Sequence, residues 1–198
     1  TQYYRYKTCL KLLTPFVKEN DTALDIGCAL GDFTIQLVKT GMFSQVIASD
    51  ISQTALKRAQ KKFHGNKILK FVHTALPELS FKDESFDVVT ALEVIYYLSN
   101  EDRKRAAKEL HRVLKKNGIL LISVDLAPGY FSVAELVTLL STSYFKIETK
   151  HFIYGKFYSK FETKILALYE SCKHYEKKGM IIACIRRFLQ KIVNGYWF

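Results

Sequence analysis

Four residues near the start of the chain have types and spacings that could bind a ligand. The stretch "ALDIGCALGDF" (23–33) places Asp25 at the tip of an apolar run and follows it with Gly27 and Gly31. Asp50 ends the next apolar run, 19 residues after Gly31. Glycines let a ligand lie against the backbone, and a helix beginning near Asp32 would aim its free N–H groups at that ligand. An acid at the position of Asp50 accepts hydrogen bonds from ribose hydroxyls, so the pattern predicts a pocket for a nucleoside-bearing cofactor.

The elements around these residues alternate between strand and helix. We predict strands in "TALDIGC", "QVIASD", "KILKFVHT", "FDVVTAL", "GILLISV" and "YFKIETKHFIY". Helices are predicted in residues 1–20 with a break near Thr14, and in "DFTIQLVKTG", "SQTALKRAQKKFHG", "NEDRKRAAKELHRVLKKNG" and "SVAELVTLLSTS". This order favours a Rossmann-like α/β fold, a doubly wound, mostly parallel sheet with helices on both faces. Ligands of such sheets bind beyond the carboxyl ends of the strands, where the strand order reverses.

The spacing of the glycines bears on which cofactor is bound. A dinucleotide site uses G-x-G-x-x-G, whereas this turn has G-x-x-x-G with Asp25 at the strand tip. A carboxylate there would repel a pyrophosphate but favour a ligand with an ammonium or sulfonium charge. The residues therefore favour S-adenosylmethionine over NAD.

Four motifs in order resemble those of class I S-adenosylmethionine-dependent methyltransferases. They are "LDIGCALGDFT", "ASDIS", "LPELSFKDESFDVVTALEVIYYL" and "HRVLKKNGILLIS", within a resemblance over about residues 3–154. It implies S-adenosyl-L-methionine as methyl donor and S-adenosyl-L-homocysteine as product. "LEVIYYLS" somewhat resembles the nodulation-factor N-methyltransferase group, which implies a small amine acceptor.

The resemblance assigns residues to the methionine end of the cofactor. Gly27, Cys28 and Gly31 would line the methionine moiety through their backbones. Asp25 would lie near the cofactor ammonium, through a water molecule. The sequence departs from the family at Ala29, where the middle glycine of G-x-G-x-G often stands.

The adenosine end is assigned in the same way. Asp50 would hold both ribose hydroxyls, and Ile51 would pack on the adenine. The family often has Asp or Asn after the third strand, where this chain has His73, Thr74 and Ala75. A backbone carbonyl or the Thr74 hydroxyl would then bind the adenine amino group.

Candidate catalytic residues follow the fourth predicted strand. That strand ends at Leu92, beside the cofactor, and Glu93 follows at the pocket mouth. Glu93 is a candidate to orient an amine or accept its proton, and Tyr96 or Tyr97 could line the acceptor pocket. His73 is an alternative base. A purely structural role is the alternative: Glu93 could be a carboxylate at a helix start, and the two tyrosines could simply pack against their neighbours.

The N-terminal helix and the last 48 residues lie on either side of this framework. By resemblance the helix is a lid, and Tyr4 or Arg5 could touch the cofactor carboxylate. The alternative is a surface helix whose tyrosines pack on the sheet edge. We predict a cofactor-binding domain over 1–155 and a basic, aromatic extension over 156–198. Residues 151–198 hold nine Lys and Arg against three Asp and Glu, a net +6 of the chain's +11. "MIIACI" (180–185) could be a seventh strand or part of a helix.

The net charge of the chain indicates which partners it favours. An excess of cationic residues favours an anionic partner, such as a lipid surface reached through the C-terminal segment, or simply a solvated basic surface. A homodimer is another expectation, and nucleic acid a weaker one. Four widely spaced cysteines form no C-x-x-C pair, which predicts reduced thiols and no metal site. The predicted location is cytoplasmic, or peripheral on a membrane.

The leading hypothesis is methyl transfer by in-line displacement to N or O of a small-molecule, glycan or lipid-like acceptor. The alternatives are an RNA methyltransferase and a non-catalytic methyltransferase-like binding subunit. A missing RNA-binding module counts against the first alternative. Retained cofactor binding would count against the second.

Overall fold

The computed structural model describes residues 2–125 and 132–151. Its helices are α1 (Gln2–Leu13), α2 (Thr34–Lys39), α3 (Gln53–Lys62), α4 (Asn100–Val113) and α5 (Val133–Thr142). Short 3-10 turns cover Thr14–Phe16 and Ile95–Tyr97. Its strands are β1 (Asp21–Ile26), β2 (Phe43–Asp50), β3 (Leu69–His73), β4 (Phe86–Leu92) and β5 (Leu114–Ser123). The break predicted near Thr14 is confirmed, since α1 ends there in the turn that contains Pro15.

The five strands form one parallel sheet in the order β3-β2-β1-β4-β5. The predicted Rossmann-like architecture is therefore confirmed. The strand order reverses between β1 and β4, the two central strands, whose carboxyl ends lie side by side. Their residues are almost entirely buried because helices cover both faces, which explains their unbroken apolar runs.

Two apolar cores lie on opposite faces of the sheet. Leu13 of α1, Leu37 of α2 and Leu56 of α3 are buried in one core. Leu110 of α4 and Leu139 of α5 are buried in the other. The N-terminal helix is thus packed into the body of the fold.

Serine caps fix where three of the predicted helices begin, with Ser99 at the start of α4 as one of them. The side chain of Ser52 accepts a hydrogen bond from the backbone of Ala55 at the start of α3. Ser132 does the same for Glu135, whose carboxylate accepts from the Ser132 backbone and completes a capping box. These starts agree with the sequence patterns.

The structure corrects three predicted elements. Helix α4 ends at Val113 rather than near Gly118, because Leu114 already pairs with Phe86 in the sheet. Helix α2 begins at Thr34 rather than near Asp32, since residues 27–33 form a turn. The strand predicted in "YFKIETKHFIY" is wrong over residues 144–151, which form neither strand nor helix.

The chain divides into two compact units, Thr1–Lys150 and His151–Phe198. The first contains the whole sheet. The question of strand or helix in 180–185 lies outside the described residues, as do the predicted C-terminal helices. The proposed boundary at residue 155 stays a prediction.

Candidate functional site

A cavity of about 440 Å³ lies at the carboxyl ends of β1, β2 and β4, where the strand order reverses. This volume is in the range of small-molecule sites. Helix α1 contributes one wall, and the turns after the strands contribute the others. The lining residues are Gln2, Arg5, Tyr6, Asp25, Ile26, Gly27, Cys28, Ala29, Phe33, Asp50, Ile51, Ala75, Leu76, Leu92, Glu93, Val94, Tyr97 and Leu98.

Asp25 is the most deeply buried charged residue of this lining, with 2% of its surface exposed. Its Oδ1 accepts a hydrogen bond from Thr90 Oγ1 at 2.7 Å and its Oδ2 one from Thr34 Oγ1 at 2.5 Å. Burial raises the pKa of Asp25 to about 6, although both hydroxyls oppose the shift. The carboxyl that the two threonines hold is therefore mostly ionised at neutral pH and becomes protonated as the pH falls below about 6.

The turn after β1 brings backbone close to the cavity. Gly27 has φ +70°, and a Cβ there would overlap Cγ2 of Val94, so the position requires glycine. The N–H groups of Gly27 and Cys28 both donate to the carbonyl of Ser49 on β2. Ala29 has φ +47°, which accounts for the family's preference for glycine at this point.

Cys28 lines the cavity, and its predicted backbone contact with the methionine moiety stays a prediction. The residue is buried, and burial raises the pKa of its Sγ well above the ordinary range. Its side chain fills space beneath the turn.

Gly31 does not line the cavity. It has φ +75°, and a Cβ would lie 2.9 Å from the Phe63 ring and 3.7 Å from Ala59. The glycine therefore permits the turn to pack against α3. Its predicted contact with the methionine moiety has no support in this geometry.

Asp50 presents its carboxylate to the cavity from the end of β2. Oδ2 accepts from the backbone N–H of Ala29 at 2.8 Å, and Oδ1 accepts from that of Ser52 at 2.7 Å. Each oxygen keeps a further lone pair for a ligand. The neighbouring Ile51 lines the cavity with 77% of its surface exposed, which leaves an apolar face for a planar ring.

The residues after β3 divide into two groups. Ala75 lines the cavity. Thr74 is buried outside it, with Oγ1 bonded to Ser80 and Glu78. His73 is exposed and its Nε2 lies 2.9 Å from the carbonyl oxygen of Ile51, so it braces the loop and is not among the lining residues.

Glu93 follows Leu92 at the end of β4, and both line the cavity. Glu93 has φ +61°, a conformation that costs a non-glycine residue energy and is concentrated at functional sites. Its backbone N–H donates to the Ser123 carbonyl, and Ser123 Oγ donates to its Oε1 at 2.6 Å. The strained backbone and this hydroxyl together fix the direction of the carboxylate.

The two tyrosines that follow Glu93, either of which the sequence offered for the acceptor pocket, differ in their position. Tyr97 lines the cavity and is 75% exposed, whereas Tyr96 is half-buried and is not among the lining residues. Their rings are in contact, with centroids 4.4 Å apart. Burial, the Tyr97 hydroxyl and Glu93 raise the pKa of Tyr96 well above its usual range, so the Tyr96 hydroxyl stays protonated near neutral pH.

Helix α1 supplies lining residues that the sequence identified only in part. Arg5 lines the cavity, whereas Tyr4, the other suggested contact, is exposed and does not. Tyr6 packs its ring on Phe33, with centroids 5.3 Å apart, and Gln2 Nε2 donates to its hydroxyl. The spacing of Gln2, Arg5 and Tyr6 on one helical face was the available signal.

The charge of the cavity is opposite to that of the chain. Its lining has three carboxyl groups, on Asp25, Asp50 and Glu93, and one cationic side chain, on Arg5. The chain as a whole carries +11. An acidic cavity disfavours a pyrophosphate and favours a ligand that carries positive charge.

Within residues 2–125 and 132–151, no helix is both long and apolar enough to span a bilayer. In the same ranges, no three His, Cys, Asp or Glu residues are grouped so that they could hold a metal ion.

The parallel sheet, with an acidic cavity at its carboxyl edge, defines a Rossmann-like α/β protein. Residues 24–122 match the family model described as a methyltransferase domain. A solved structure from Bacillus halodurans C-125, provisionally assigned as a methyltransferase, superposes with a TM-score of 0.65 and 22% identity. The match covers 73% of this chain and 71% of that one, and at this identity it shows the fold alone.

Curated relatives give the closer comparison in sequence. The demethylmenaquinone methyltransferase of Lysinibacillus sphaericus (strain C3-41) is 32% identical over 164 residues, which cover 80% of this chain and 65% of that protein. The demethylmenaquinone methyltransferase of Staphylococcus aureus (strain JH9) is 30% identical over 184 residues, which cover 87% of this chain and 73% of that protein. The chain belongs to the class I S-adenosylmethionine-dependent methyltransferase family.

Proposed function

We propose that the chain binds S-adenosylmethionine in the cavity at the carboxyl ends of β1, β2 and β4 and transfers its methyl group to a small-molecule acceptor. The observation that carries this proposal is the pair Asp25 and Asp50, which lies at the ends of adjacent strands in an acidic cavity of a basic protein. Family membership supports the same cofactor.

The residues present fit the two polar ends of this cofactor. Asp50, held by two backbone N–H groups, would accept hydrogen bonds from the ribose hydroxyls. Ile51 and Ala75 would contact the adenine. The backbone of Gly27, which lines the cavity, would contact the methionine moiety, and Asp25 would supply a negative charge near the ammonium.

When bound, the cofactor supplies a methyl group activated by a sulfonium. The protein then has to orient the acceptor and remove a proton where the acceptor carries one. Glu93 would perform both tasks, and the hydrogen bond from Ser123 that holds its carboxylate supports this role. His73 is not among the residues that line the cavity.

The acceptor that we propose is an apolar, lipid-like small molecule. Both reported relatives are named demethylmenaquinone methyltransferases, and this chain spans 65% and 73% of their lengths. Phe33, Tyr97 and Leu98 give the cavity an apolar part that suits a ring or an isoprenoid-like chain. Whether the methyl group goes to N, O or C is an outcome of the assay below.

The experiment measures binding first and turnover second. S-adenosylhomocysteine should bind with micromolar-range affinity in isothermal titration calorimetry. Methyl transfer from labelled S-adenosylmethionine would then be measured with reduced demethylmenaquinone and with small amines. Absence of cofactor binding would contradict the proposal. Cofactor binding without methyl transfer to reduced demethylmenaquinone or to the amines would exclude both as acceptors.

Two substitutions test which residue accepts the proton of the acceptor. Glu93→Gln should lower kcat strongly while the Ser123 hydroxyl keeps a partner in the amide oxygen. His73→Gln should leave kcat nearly unchanged, since His73 lies outside the lining. The reverse result would transfer the catalytic role to His73.

A further inference from the structure

The segment between β3 and β4, residues 74–85, crosses from the edge of the sheet to its centre and forms neither a helix nor a strand. A helix satisfies its own backbone groups, whereas this segment depends on other parts of the protein to hold its backbone. Two of its residues, Ala75 and Leu76, line the cavity. The contacts that fix the path of the segment therefore also fix this wall of the cavity.

Two side chains of α4 hold the middle of the segment. Glu109 Oε1 accepts a hydrogen bond from the backbone N–H of Leu79 at 2.8 Å. Arg112 donates to the carbonyl oxygens of Leu79 at 3.2 Å and of Phe81 at 2.8 Å. Arg112 Nε and Nη2 also donate to the two carboxylate oxygens of Glu109, at 2.8 Å and 2.6 Å. Because such a bidentate pair has a fixed geometry, α4 holds both polar groups of the Leu79 backbone in place.

The hydroxyl of Thr74 is used inside the segment and not at the cavity. Its Oγ1 accepts from the backbone N–H of Ser80 at 3.2 Å, and it lies 3.2 Å from Ser80 Oγ and 3.4 Å from the carbonyl oxygen of Glu78. The two lining residues, Ala75 and Leu76, have apolar side chains. The polar groups that this wall offers to a bound base are therefore those of their backbone.

We propose that Glu109 and Arg112 are positioning residues that set the selectivity of the cavity for adenine. By holding the Leu79 backbone they fix the turn that precedes it, in which the N–H of Glu78 donates to the carbonyl of Ala75 at 3.3 Å. The backbone at Ala75 then meets the edge of the base that carries the amino group. This inference rests on the proposed function, because it takes Ala75 to lie at the adenine end of the cofactor.

The test compares S-adenosylhomocysteine with S-inosylhomocysteine, in which hypoxanthine replaces adenine. The two ligands differ only at one edge of the base, where hypoxanthine has a carbonyl oxygen in place of the amino group and a proton on the adjacent ring nitrogen. In calorimetry the full chain should favour S-adenosylhomocysteine at least about 10-fold, because a mismatched edge leaves polar groups of the cavity wall without partners.

Substitutions at Glu109 should change this ratio of affinities in a graded way. Glu109→Ala should lower the ratio at least about threefold at a temperature where the variant is folded, because Leu79 loses its acceptor and the turn moves. Glu109→Gln should keep most of the ratio, since its amide oxygen still accepts from the Leu79 N–H. If Glu109→Ala does not fold, Arg112→Gln decides in its place, with a lower ratio expected and an unchanged ratio contradicting the inference.

Arg105→Gln is the matched control. Arg105 lies on the same helix, but it donates to the side chains of Glu78 and Asp102, so its loss should leave the ratio unchanged. A Glu109→Ala variant that has a lower Tm but the ratio of the unaltered chain would show a purely structural role and overturn the inference. Equal affinities of the unaltered chain for the two ligands would overturn it as well. If neither ligand binds the unaltered chain, the proposed function itself fails.

Discussion

Thr90 on β4 donates a 2.7 Å hydrogen bond to the carboxylate of Asp25 on β1, directly across the pair of strands at which the sheet order reverses. The bond joins two fully buried side chains. A carboxyl in this position is costly for the fold, because burial disfavours its ionised form. Its presence at the cavity indicates that binding, rather than stability, explains the acid.

Replacing this acid should stabilise the fold while weakening the binding of the cofactor. The folded pKa of about 6 lies above the ordinary value of 3.8, so the folded state retains a proton that the unfolded chain releases. The contribution of Asp25 to the free energy of unfolding should therefore fall between about pH 4 and about pH 6 and stay level above that range. Asp25→Asn should remove this fall and raise the Tm near neutral pH, but not near pH 4.

The measurement is thermal unfolding across this pH range, together with calorimetry of S-adenosylhomocysteine. In the unaltered chain, affinity should increase as the pH rises through about 6, because the ionised carboxylate attracts the ligand ammonium. Asp25→Asn should bind more weakly and lose most of that dependence. Equal affinity of the two proteins at neutral pH would contradict the assigned role of Asp25.

Asp50 and Asp32 form a matched pair for testing the ribose contact. Both carboxylates lie near the turn after β1, but Asp50 lines the cavity and Asp32 points away to Lys62. Asp50→Ala should lower the affinity for S-adenosylhomocysteine at least about 10-fold, because it removes charge-assisted hydrogen bonds. Asp32→Ala should leave the affinity unchanged. Calorimetry measures both, and circular dichroism checks that each variant is folded.

The sequence predicted the framework of the site because short-range chemistry determines it. The runs ending at Asp25, Asp50 and Leu92 are too apolar for anything but buried strands, and parallel strands bring their carboxyl ends to one edge. Ser52 marked the start of α3 because its side chain can satisfy an exposed N–H group of the first turn. These signals need no knowledge of distant residues.

The positions that the sequence misplaced depend on tertiary contacts. The pattern of residues 114–117 suits a helix, yet pairing with β4 draws Leu114 into the sheet. Gly31 has the spacing of a ligand-binding glycine, but Phe63 of α3 occupies the space beside it. The contact of Arg5 with Glu93 joins residues far apart in the chain, which no local pattern reveals.

The two glycines of the opening turn should respond differently to the addition of a methyl group. Both have positive φ, so alanine strains the backbone at either position, by about 1–2 kcal/mol per residue. Gly27→Ala also overlaps Val94, a cavity residue, whereas Gly31→Ala meets the Phe63 ring at 2.9 Å, outside the cavity. Both variants should unfold at lower temperature than the unaltered chain.

The two variants should differ in the affinity of the folded protein for S-adenosylhomocysteine. Gly27→Ala should weaken S-adenosylhomocysteine, because Val94 and the turn must move where the ligand lies, while Gly31→Ala should bind normally at a temperature where it is folded. The double variant Gly31→Ala with Phe63→Leu should recover part of the lost Tm, since the smaller side chain relieves the contact while the backbone strain remains. If Gly31→Ala instead lost affinity as strongly as Gly27→Ala, Gly31 would be a ligand-binding residue after all, as the family motif implies.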